Sequence, residues 1–532
     1  MTWNIDDPQG NESGKVRFDI VQYTRGDGID VGCGPHKAFP HMVGVDSGKD
    51  TTLFGIEMQP DVVCEDATKL DCQTGSLDFV YSSHLLEHIP DTQAALTEWW
   101  RVLKVGGYLV LYLPHKDHYP RIGQPGSNPD HVHDFDQNDI RAAMEQVGGW
   151  TLLEEQVRTQ ATEYSFLQVF QKRDDQQNLI CLPGVQDQPT VCVVRYGGFG
   201  DQIQAANLLP ELKRQGFHVT FMTTPKGQDI LQHDPHIDAW LIQDENQVPN
   251  HELADYWEVM EKRFDKFINL CESVEGTLIA MPGRANHMWP QNLRRIELGK
   301  NYLEWTSRLA ELPYTSEAKF YPNEDEIFKA KRYLADFKNG LAIGLKPLQM
   351  APERFNILWC LSGSSMHKFY PHQDTVIFQV MREMPEAVIV FSGDYATKLL
   401  EIGWENHKRI KCESGEMSIR DTLTLAQNVD CVVGPETGVL NAVAFENVGK
   451  VIMLSHSSKE NLTKHWINTS VLTPVGVDCY PCHRLHYGKE FCHEDKNTGA
   501  ALCQKSITPE KVIQAIRTHY NHWKNNSLRA AA

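Results

Sequence analysis

The sequence lacks a long apolar run and a recognisable export signal. No segment of its 532 residues approaches the roughly 18 consecutive apolar residues that cross a bilayer. The first residues, MTWNIDD, contain neither the basic nor the apolar segment of a secretion signal. We therefore expect a cytoplasmic chain without a transmembrane helix.

Basic residues are also scarce. Lys and Arg number 51 against 70 Asp and Glu, so the formal net charge is -19. Residues 1–172 alone hold 26 acidic and 13 basic side chains. Because a nucleic-acid backbone is bound through a basic surface, this composition argues against a nucleic-acid partner.

The chain has neither an internal repeat nor a long low-complexity tract, and its length suits about three domains. From residue 28 to about 172, short apolar runs alternate with amphipathic stretches, which predicts an α/β domain with a mostly parallel sheet. The predicted strands are residues 28–32, 41–46, 61–65, 77–82 and 107–113. Residues 91–104 have helical spacing, with Asp91 as the N-cap.

Changes in composition along the chain predict where the domains begin and end. The first domain covers residues 1–173, and the polar stretch 174–189 is a linker. A strand at 190–194 opens a second α/β series that extends to residue 340, and a third covers 341–525. Its last helix should begin at Pro509, after the N-cap Thr508. Residues 526–532 form a short tail, and the sequence leaves open whether the chain is a monomer or a homo-oligomer.

The first domain carries a glycine motif, IDVGCGP at residues 29–35, at the end of its first predicted strand. Gly32 and Gly34 allow the backbone to approach a ligand closely. Asp46 ends the second strand, where a carboxylate can accept hydrogen bonds from ribose hydroxyls. Asp66 and Ala67 end the third strand, where an adenine would lie.

The order of these segments, with LDFVYSSHLLEHIP and RVLKVGGYL further on, resembles class I S-adenosylmethionine-dependent methyltransferases of type 11. The resemblance covers residues 26–150 and implies that S-adenosylmethionine is the cofactor. It assigns Asp30, Gly32 and Gly34 to the methionine end, Asp46 to the ribose, Asp66 and Ala67 to the adenine, and Ser83 and His84 to the methyl-transfer cleft. Pro35 and His36 stand where a third glycine is common. The alternative is a Rossmann-like domain that does not bind this cofactor.

Two histidines in the segment HVHDF form a second candidate in this domain. His131 and His133 follow a loop rich in Gly and Pro. They are interpreted as a lid or a general base, which methyl transfer needs only for a hydroxyl or ammonium acceptor. The alternative is a solvated loop.

The second series opens with RYGGFGDQIQ, in which three glycines turn the chain and Asp201 begins a helix. A carboxylate at this point can take a proton from an attacking hydroxyl. Its structural alternative is a helix cap worth about 1 kcal/mol. The spacing alone leaves both roles open.

The third series contains three strand-to-helix turns. LSGSSMHKFY offers hydroxyls and a lysine that could neutralise a diphosphate. FSGDY follows at residues 391–395, and GPETGVLN follows at residues 434–441.

Together these four motifs resemble the heptosyltransferases of glycosyltransferase family 9, which have a GT-B fold of two Rossmann-like lobes. The resemblance spans about residues 190–525 and implies inverting transfer without a bivalent metal. It assigns catalysis to Asp201, as the base, and to Lys368, and donor binding to Ser364, Ser365, Lys368, Glu436, Thr437 and Gly438. Glu436 and Asn441 depart from the aspartate and histidine usual in the family, which leaves the identity of the donor sugar open.

Four of the 13 cysteines crowd into residues 479–503. The spacing of Cys479, Cys482, Cys492 and Cys503 suits a tetrahedral zinc or iron site. This region also resembles the C-terminal cysteine finger of autotransporter heptosyltransferases, which implies a structural Zn or Fe. His483, His486 or His493 could replace one sulfur, and the alternative is a set of reduced or disulfide-paired cysteines.

The predicted architecture is therefore α/β: a Rossmann-like methyltransferase domain, then a two-lobed GT-B glycosyltransferase with a C-terminal cysteine metal finger. The predicted function is a bifunctional transferase. It would glycosylate a hydroxyl of a glycan or a protein from an ADP-heptose-like nucleotide sugar, and methylate a sugar or a related acceptor. One alternative keeps the glycosyltransferase and makes the first domain a non-catalytic binding or assembly module. Another makes the whole chain an interaction scaffold.

Overall fold

The computed structural model describes residues 11–49, 52–53, 56–160, 162–184, 187–245, 247–341, 353–486, 488 and 490–531. The chain forms two compact units. The first contains Met1–Asp187 together with Leu241–Phe264, and the second contains Gln188–Trp240 with Asp265–Ala532.

The first unit is built on an eight-stranded sheet. Its strands are β1 (Gly28–Val31), β2 (Val43–Asp46), β5 (Val62–Val63), β6 (Leu77–Ser83), β7 (Leu103–Pro114), β8 (Trp150–Arg158), β9 (Ser165–Lys172) and β10 (Leu179–Ile180), beside a small hairpin of β3 (Thr52–Leu53) and β4 (Ile56–Glu57). The order in the sheet is β10-β8-β9-β7-β6-β1-β2-β5. Strand β9 runs antiparallel to both of its neighbours, β7 and β8.

Helices α1 (Glu12–Val16), α2 (Thr92–Val102), α3 (Gln137–Val147) and α7 (Leu253–Glu261) belong to the same unit. Asp91 caps α2 as predicted, because its side chain accepts a hydrogen bond from the Ala94 amide at 2.9 Å. The buried indoles of Trp99 and Trp150 belong to the apolar core between α2, α3 and the sheet. This burial positions the carboxyl ends of β1, β2 and β6 at one edge.

Residues 241–264 were expected in the second domain, but they pack with the first unit. The Arg17 guanidinium lies 2.7 Å from the Glu252 carboxylate, with both side chains buried. The Gln247 amide donates to the carbonyl oxygens of Val21 and Thr24 at 2.7 and 3.0 Å. A segment that lies in the sequence between two strands of one sheet therefore packs with the first unit through buried polar contacts.

The second unit contains two parallel sheets. The first has the order β13-β12-β11-β14 and the second β17-β16-β15-β18-β19-β20. Their strands are β11 (Thr190–Val194), β12 (His218–Thr223), β13 (Ala239–Ile242), β14 (Lys266–Asn269), β15 (Phe355–Cys360), β16 (Ala387–Ser392), β17 (Ile410–Cys412), β18 (Cys431–Pro435), β19 (Gly449–Met453) and β20 (Thr469–Leu472).

Helices surround both sheets. Those of the first half are α4 (Phe199–Ala205), α5 (Leu209–Arg214), α6 (Pro225–Leu231), α8 (Ser273–Thr277), α9 (Gln291–Glu297), α10 (Tyr302–Leu309) and α11 (Glu324–Leu341). Those of the second are α12 (Gln373–Glu383), α13 (Ile419–Asn428), α14 (Gly438–Ala442), α15 (Leu502–Lys505) and α16 (Pro509–Ala531). In the described part of the chain, no helix combines the length and apolar character needed to cross a membrane.

The fold confirms the α/β prediction and differs from it in detail. The last helix begins at Pro509, as expected from its proline. Strand β7 begins at Leu103 and follows α2 directly, so the helix predicted over residues 91–104 ends at Val102. The stretch 174–189 was predicted to be a linker, yet it contributes β10, which pairs with β8 and forms one edge of the sheet.

Candidate active sites

The turn after β1 has the backbone that its glycines predicted. Gly32 and Gly34 have φ angles of +77° and +52°, a region that other residues adopt at a cost. A Cβ atom on Gly32 would lie 2.8 Å from the side chain of Leu85. The Gly34 amide donates to the Asp46 carboxylate at 3.0 Å, which joins the ends of β1 and β2.

Asp30 is completely buried at the end of β1. One carboxylate oxygen accepts the Ala38 amide at 3.0 Å, while the other, Oδ1, has no hydrogen-bond partner among the described residues. Burial raises the pKa of Asp30 to about 7. An unsatisfied buried acceptor is costly, so this oxygen is suited to a donor supplied by a ligand.

The remaining predicted cofactor residues occupy different environments. Asp66 is exposed, and its carboxylate accepts hydrogen bonds from the amide and hydroxyl of Thr68. The Ala67 carbonyl accepts the Trp99 indole N–H at 2.9 Å. Ser83 is buried at the end of β6, which lies next to β1 in the sheet. Their roles in cofactor binding remain predictions.

Beyond β6, three imidazoles surround a buried carboxylate. Glu87 Oε1 lies 3.8 Å from His84 Nδ1, 4.0 Å from His88 Nε2 and 3.8 Å from His131 Nε2. Burial raises the pKa of Glu87 to about 8 and lowers the pKa of His84 to about 3. Burial also lowers the pKa values of His88 and His131, so these rings are neutral at pH 7.

The sequence predicts functional roles for His84 and His131 but not for Glu87. An acidic residue inside the apolar run LLEHI was the available signal. His131 is buried, whereas the His133 ring lies outside the cluster and its Nε2 is 3.1 Å from the Pro90 carbonyl. The two histidine side chains therefore lie in different environments.

In the second unit, Asp201 lies in the first turn of α4. Its Oδ1 accepts hydrogen bonds from the Arg195 guanidinium at 2.9 Å and the Tyr302 hydroxyl at 3.3 Å. Its Oδ2 accepts the Gly198 amide at 3.1 Å, so the predicted capping role is present. The side chain is 29% exposed, which leaves the carboxylate accessible to a ligand.

Lys368 is a buried cation whose ammonium donates to the Glu436 carbonyl oxygen at 2.9 Å and to the Ser364 hydroxyl at 3.4 Å. Burial lowers its pKa, and the charges of Glu436 and Asp201 partly oppose that effect. Lys368 contacts Glu436, which precedes Gly438 by two residues, and Gly438 lies against Gly200, next to Asp201. The two predicted catalytic residues therefore lie in the same region of this unit.

Two glycines explain how the sheets of this unit approach each other. A Cβ atom on Gly200 would lie 2.9 Å from the Cα of Gly438, and one on Gly438 would collide with the Phe199 ring. The first turns of α4 and α14 are thus in direct backbone contact. Thr437, next to Gly438, caps α14 by accepting the Leu440 amide at 3.4 Å.

Two predicted donor-binding side chains are already engaged within the protein. The Glu436 carboxylate accepts the amides of Ser455 and Ser457 at 3.0 Å each and lies 2.5 Å from His456 Nδ1. Burial alone would raise its pKa, but His456 and the other partners lower it. The Ser365 hydroxyl contacts the His367 ring and the His486 carbonyl. Direct donor contacts by these two side chains remain predictions.

The four cysteines of the predicted finger are all reduced. Burial raises the pKa of Cys503, with further contributions from the neighbouring thiols. Within the described residues, the three ligand atoms found within 4.8 Å of one another in this region belong instead to His367, His486 and Cys492. His486 had been considered as a replacement for one sulfur, and the four-sulfur site stays a prediction.

The strand order of the first unit and the glycine turn after β1 define a class I methyltransferase fold. The two parallel sheets of the second unit, joined at Gly200 and Gly438, have the two-lobed GT-B arrangement. Each fold carries its candidate residues at the carboxyl ends of its strands, where α/β proteins bind ligands.

Comparisons with known proteins agree with the first assignment. Residues 29–111 match the family model described as "Methyltransferase domain". A malonyl-[acyl-carrier protein] O-methyltransferase of Laribacter hongkongensis is 34% identical over 93 residues, which is 17% of this chain and 31% of the relative. The chain thus spans about a third of the length of that relative.

Two solved structures align with a larger part of the chain. ADP-heptose lps heptosyltransferase II of E. coli aligns with 63% of this chain and 99% of its own, at 14% identity and a TM-score of 0.41. A glycosyl transferase family 9 protein of Veillonella parvula aligns with 64% of this chain and 99% of its own, at 13% identity and a TM-score of 0.44.

Proposed function

We propose that this chain is a bifunctional transferase that carries out S-adenosylmethionine-dependent methylation in its first unit and inverting glycosyl transfer in its second. The donor class is an ADP-heptose-like nucleotide sugar. The acceptors are hydroxyls of a glycan or a protein, and the methyl acceptor is a sugar or a related group. Joining both activities in one chain would raise the local concentration of a shared acceptor.

The single observation behind the methyltransferase proposal is the junction of β1 and β2. Gly32 and Gly34 hold the backbone of this turn at positive φ, and Asp30 Oδ1 is a buried acceptor without a hydrogen-bond partner among the described residues. These residues fit the methionine end of S-adenosylmethionine, with Asp46 beside the ribose and Asp66 and Ala67 near the adenine. The bound cofactor supplies an electrophilic methyl group, and the protein acts by aligning the acceptor.

A pair of glycine variants tests this proposal on the full-length chain. Gly32→Ala places a methyl group against Leu85, whereas Gly106→Ala at φ +84° meets no atom within 4 Å. Both pay the backbone cost of a positive φ, about 1–2 kcal/mol. We expect only Gly32→Ala to weaken S-adenosylmethionine binding, measured by calorimetry, by tenfold or more. No binding by the unmodified chain would refute the methyltransferase activity.

The glycosyltransferase proposal is supported by the convergence of Asp201 and Lys368, which come from the two lobes. Arg195 and Tyr302 orient Asp201 Oδ1, so the other oxygen can accept the proton of an attacking hydroxyl. Lys368 has three N–H donors, and the described residues accept two of them. The third is available to the departing diphosphate, whose negative charge grows during the reaction.

A carboxylate-to-amide change at Asp201 tests the base. The Asp201→Asn variant keeps the shape of the side chain but cannot take a proton, so we expect transfer to fall by about 10²–10⁴ with donor binding retained. Asp229→Asn is the matched control, since Asp229 is exposed on α6 of the same lobe and its carboxylate accepts a hydrogen bond from Gln232. A panel of mass-tagged nucleotide sugars identifies the donor. Full transfer by the Asp201→Asn variant would refute the assigned base.

The cysteine finger is proposed to hold a structural zinc or iron. Helix α9 holds the backbone around Cys479 and Cys482 in place. The guanidiniums of its Arg294 and Arg295 donate hydrogen bonds to carbonyl oxygens of residues 478–482. Elemental analysis of the purified protein, compared with a Cys479→Ser/Cys482→Ser variant, tests the site. An equal metal content in both proteins would refute it.

A further inference from the structure

Glu87 is a buried acid for which the methyltransferase fold gives no explanation. It follows β6 in a short helical turn, its side chain has 0% exposure, and neither carboxylate oxygen has a hydrogen-bond partner among the described residues. A buried carboxylate without partners costs several kcal/mol. A bound ion is one way in which such a group is satisfied.

The surrounding rings are oriented to serve a common ligand. His88 Nδ1 lies 3.1 Å from the Asp130 carbonyl oxygen and must donate its proton there, which leaves the lone pair of Nε2 free on the side of Glu87. Histidines that bind metals use this arrangement, in which the second ring nitrogen donates to a carbonyl or carboxylate. The ligand atoms of Glu87, His88 and His131 all lie within 4.8 Å of one another.

The backbone holds the two halves of the cluster together. The amides of Val132 and His133 donate to the Glu87 carbonyl oxygen at 2.9 and 3.2 Å. His131 is thereby tied to Glu87 although the two residues are far apart in the sequence. The donor atoms of a tetrahedral zinc ion lie about 3.4 Å apart, so the distances of 3.8 and 4.0 Å to Glu87 Oε1 need to contract by only a few tenths of an ångström.

We propose that Glu87, His88 and His131 bind a divalent transition-metal ion of the zinc class. Two imidazoles and one carboxylate form a ligand set typical of catalytic zinc and related ions, which keep a position open. His84 Nδ1 also lies 3.8 Å from Glu87 Oε1. The site lies beyond the end of β6, the neighbour of the strand that carries the glycine turn.

The role of this ion rests on the proposed methyltransferase function. An acceptor hydroxyl at the open position becomes more acidic and releases its proton to solvent. Its oxygen then bonds to the methyl carbon while the carbon–sulfur bond breaks and the sulfonium becomes a neutral thioether. The ion would therefore select hydroxyl acceptors and orient them for attack.

Metal stoichiometry of the full-length protein tests the site. The protein is stripped with a chelator and titrated with Co²⁺, whose absorption separates nitrogen and oxygen ligands from thiolates. We expect Glu87→Gln and His131→Ala each to lose one equivalent of Co²⁺ without a change in any thiolate band from the cysteines. His133→Ala is the matched control, because its ring lies outside the cluster, and it should bind as the unmodified chain does.

Binding of S-adenosylmethionine, measured on the same samples, reports folding and separates the two proposals. A lost equivalent in variants that still bind the cofactor supports the site. If cofactor binding is absent throughout, the metal count still decides whether the ion is bound. Equal Co²⁺ content in the unmodified chain, Glu87→Gln and His131→Ala would overturn the proposal. Binding of an ammonium-bearing acceptor in the cluster, without any Co²⁺, would also overturn it. Should Glu87→Gln fail to fold, His88→Ala replaces it.

Discussion

The buried ion pair between Arg17 and Glu252 gives a quantitative test of the unexpected membership of residues 241–264 in the first unit. The two side chains are 2% and 5% exposed and their charged atoms lie 2.7 Å apart. Glu252→Gln removes the carboxylate that is hydrogen-bonded to this buried guanidinium, which costs about 3–5 kcal/mol. A unit of this size loses about 2–4 °C of melting temperature per kcal/mol, so the expected loss is about 6–20 °C.

The assay is calorimetric unfolding of the full-length protein, followed by a double-mutant cycle. Arg17→Met with Glu252→Met removes both charges and should recover most of the loss, because two apolar side chains need no counter-charge. Glu258→Gln in α7, the helix that begins directly after Glu252, is the matched control. Its pair with Lys262 is about 70% exposed and should contribute less than about 1 kcal/mol. If Glu252→Gln lowered the melting temperature as little as Glu258→Gln does, the assignment of residues 241–264 to the first unit would be refuted.

Three further outcomes follow from the sites. Gly438→Ala would drive a methyl group into the Phe199 ring and should reduce glycosyl transfer at least tenfold without unfolding the protein, and unchanged turnover would show that the close contact is not needed. Asp30 has a pKa of about 7 when folded against 3.8 when unfolded, so its proton stabilises the cofactor-free fold at low pH and is lost as the pH rises. The contribution of Asp30 to stability should therefore fall by about 1.4 kcal/mol per pH unit between about pH 4 and 7. It is measured as the difference between denaturant titrations of the unmodified chain and of Asp30→Asn, because Glu87 also titrates in this range. Arg195→Lys should lower kcat and alter its pH profile while the donor KM is kept, because the guanidinium support of Asp201 is lost; a change in KM alone would contradict this positioning role.

Features that depend on local chemistry were predictable from the amino-acid order. The glycines at 32 and 34 predicted a tight turn, and both have a positive φ. Asp91 and Pro509 predicted the starts of two helices, because a cap and a proline act within one turn of chain. The order of strands and motifs also predicted both α/β folds, since parallel sheets require alternating strands and helices.

Contacts between distant side chains could be assigned only from the folded chain. Residues 241–264 could not be assigned to the first unit from their amphipathic pattern, since such a pattern predicts an apolar face but not its partner. The loop that carries His131 packs against Glu87, whose buried carboxylate has no hydrogen-bond partner among the described residues. The Glu436 carboxylate is hydrogen-bonded by the loop that contains Ser455. Burial, charge compensation and ligand geometry depend on residues that are close in space but distant in sequence. The sequence therefore indicates candidate residues, and their packing determines which roles they can have.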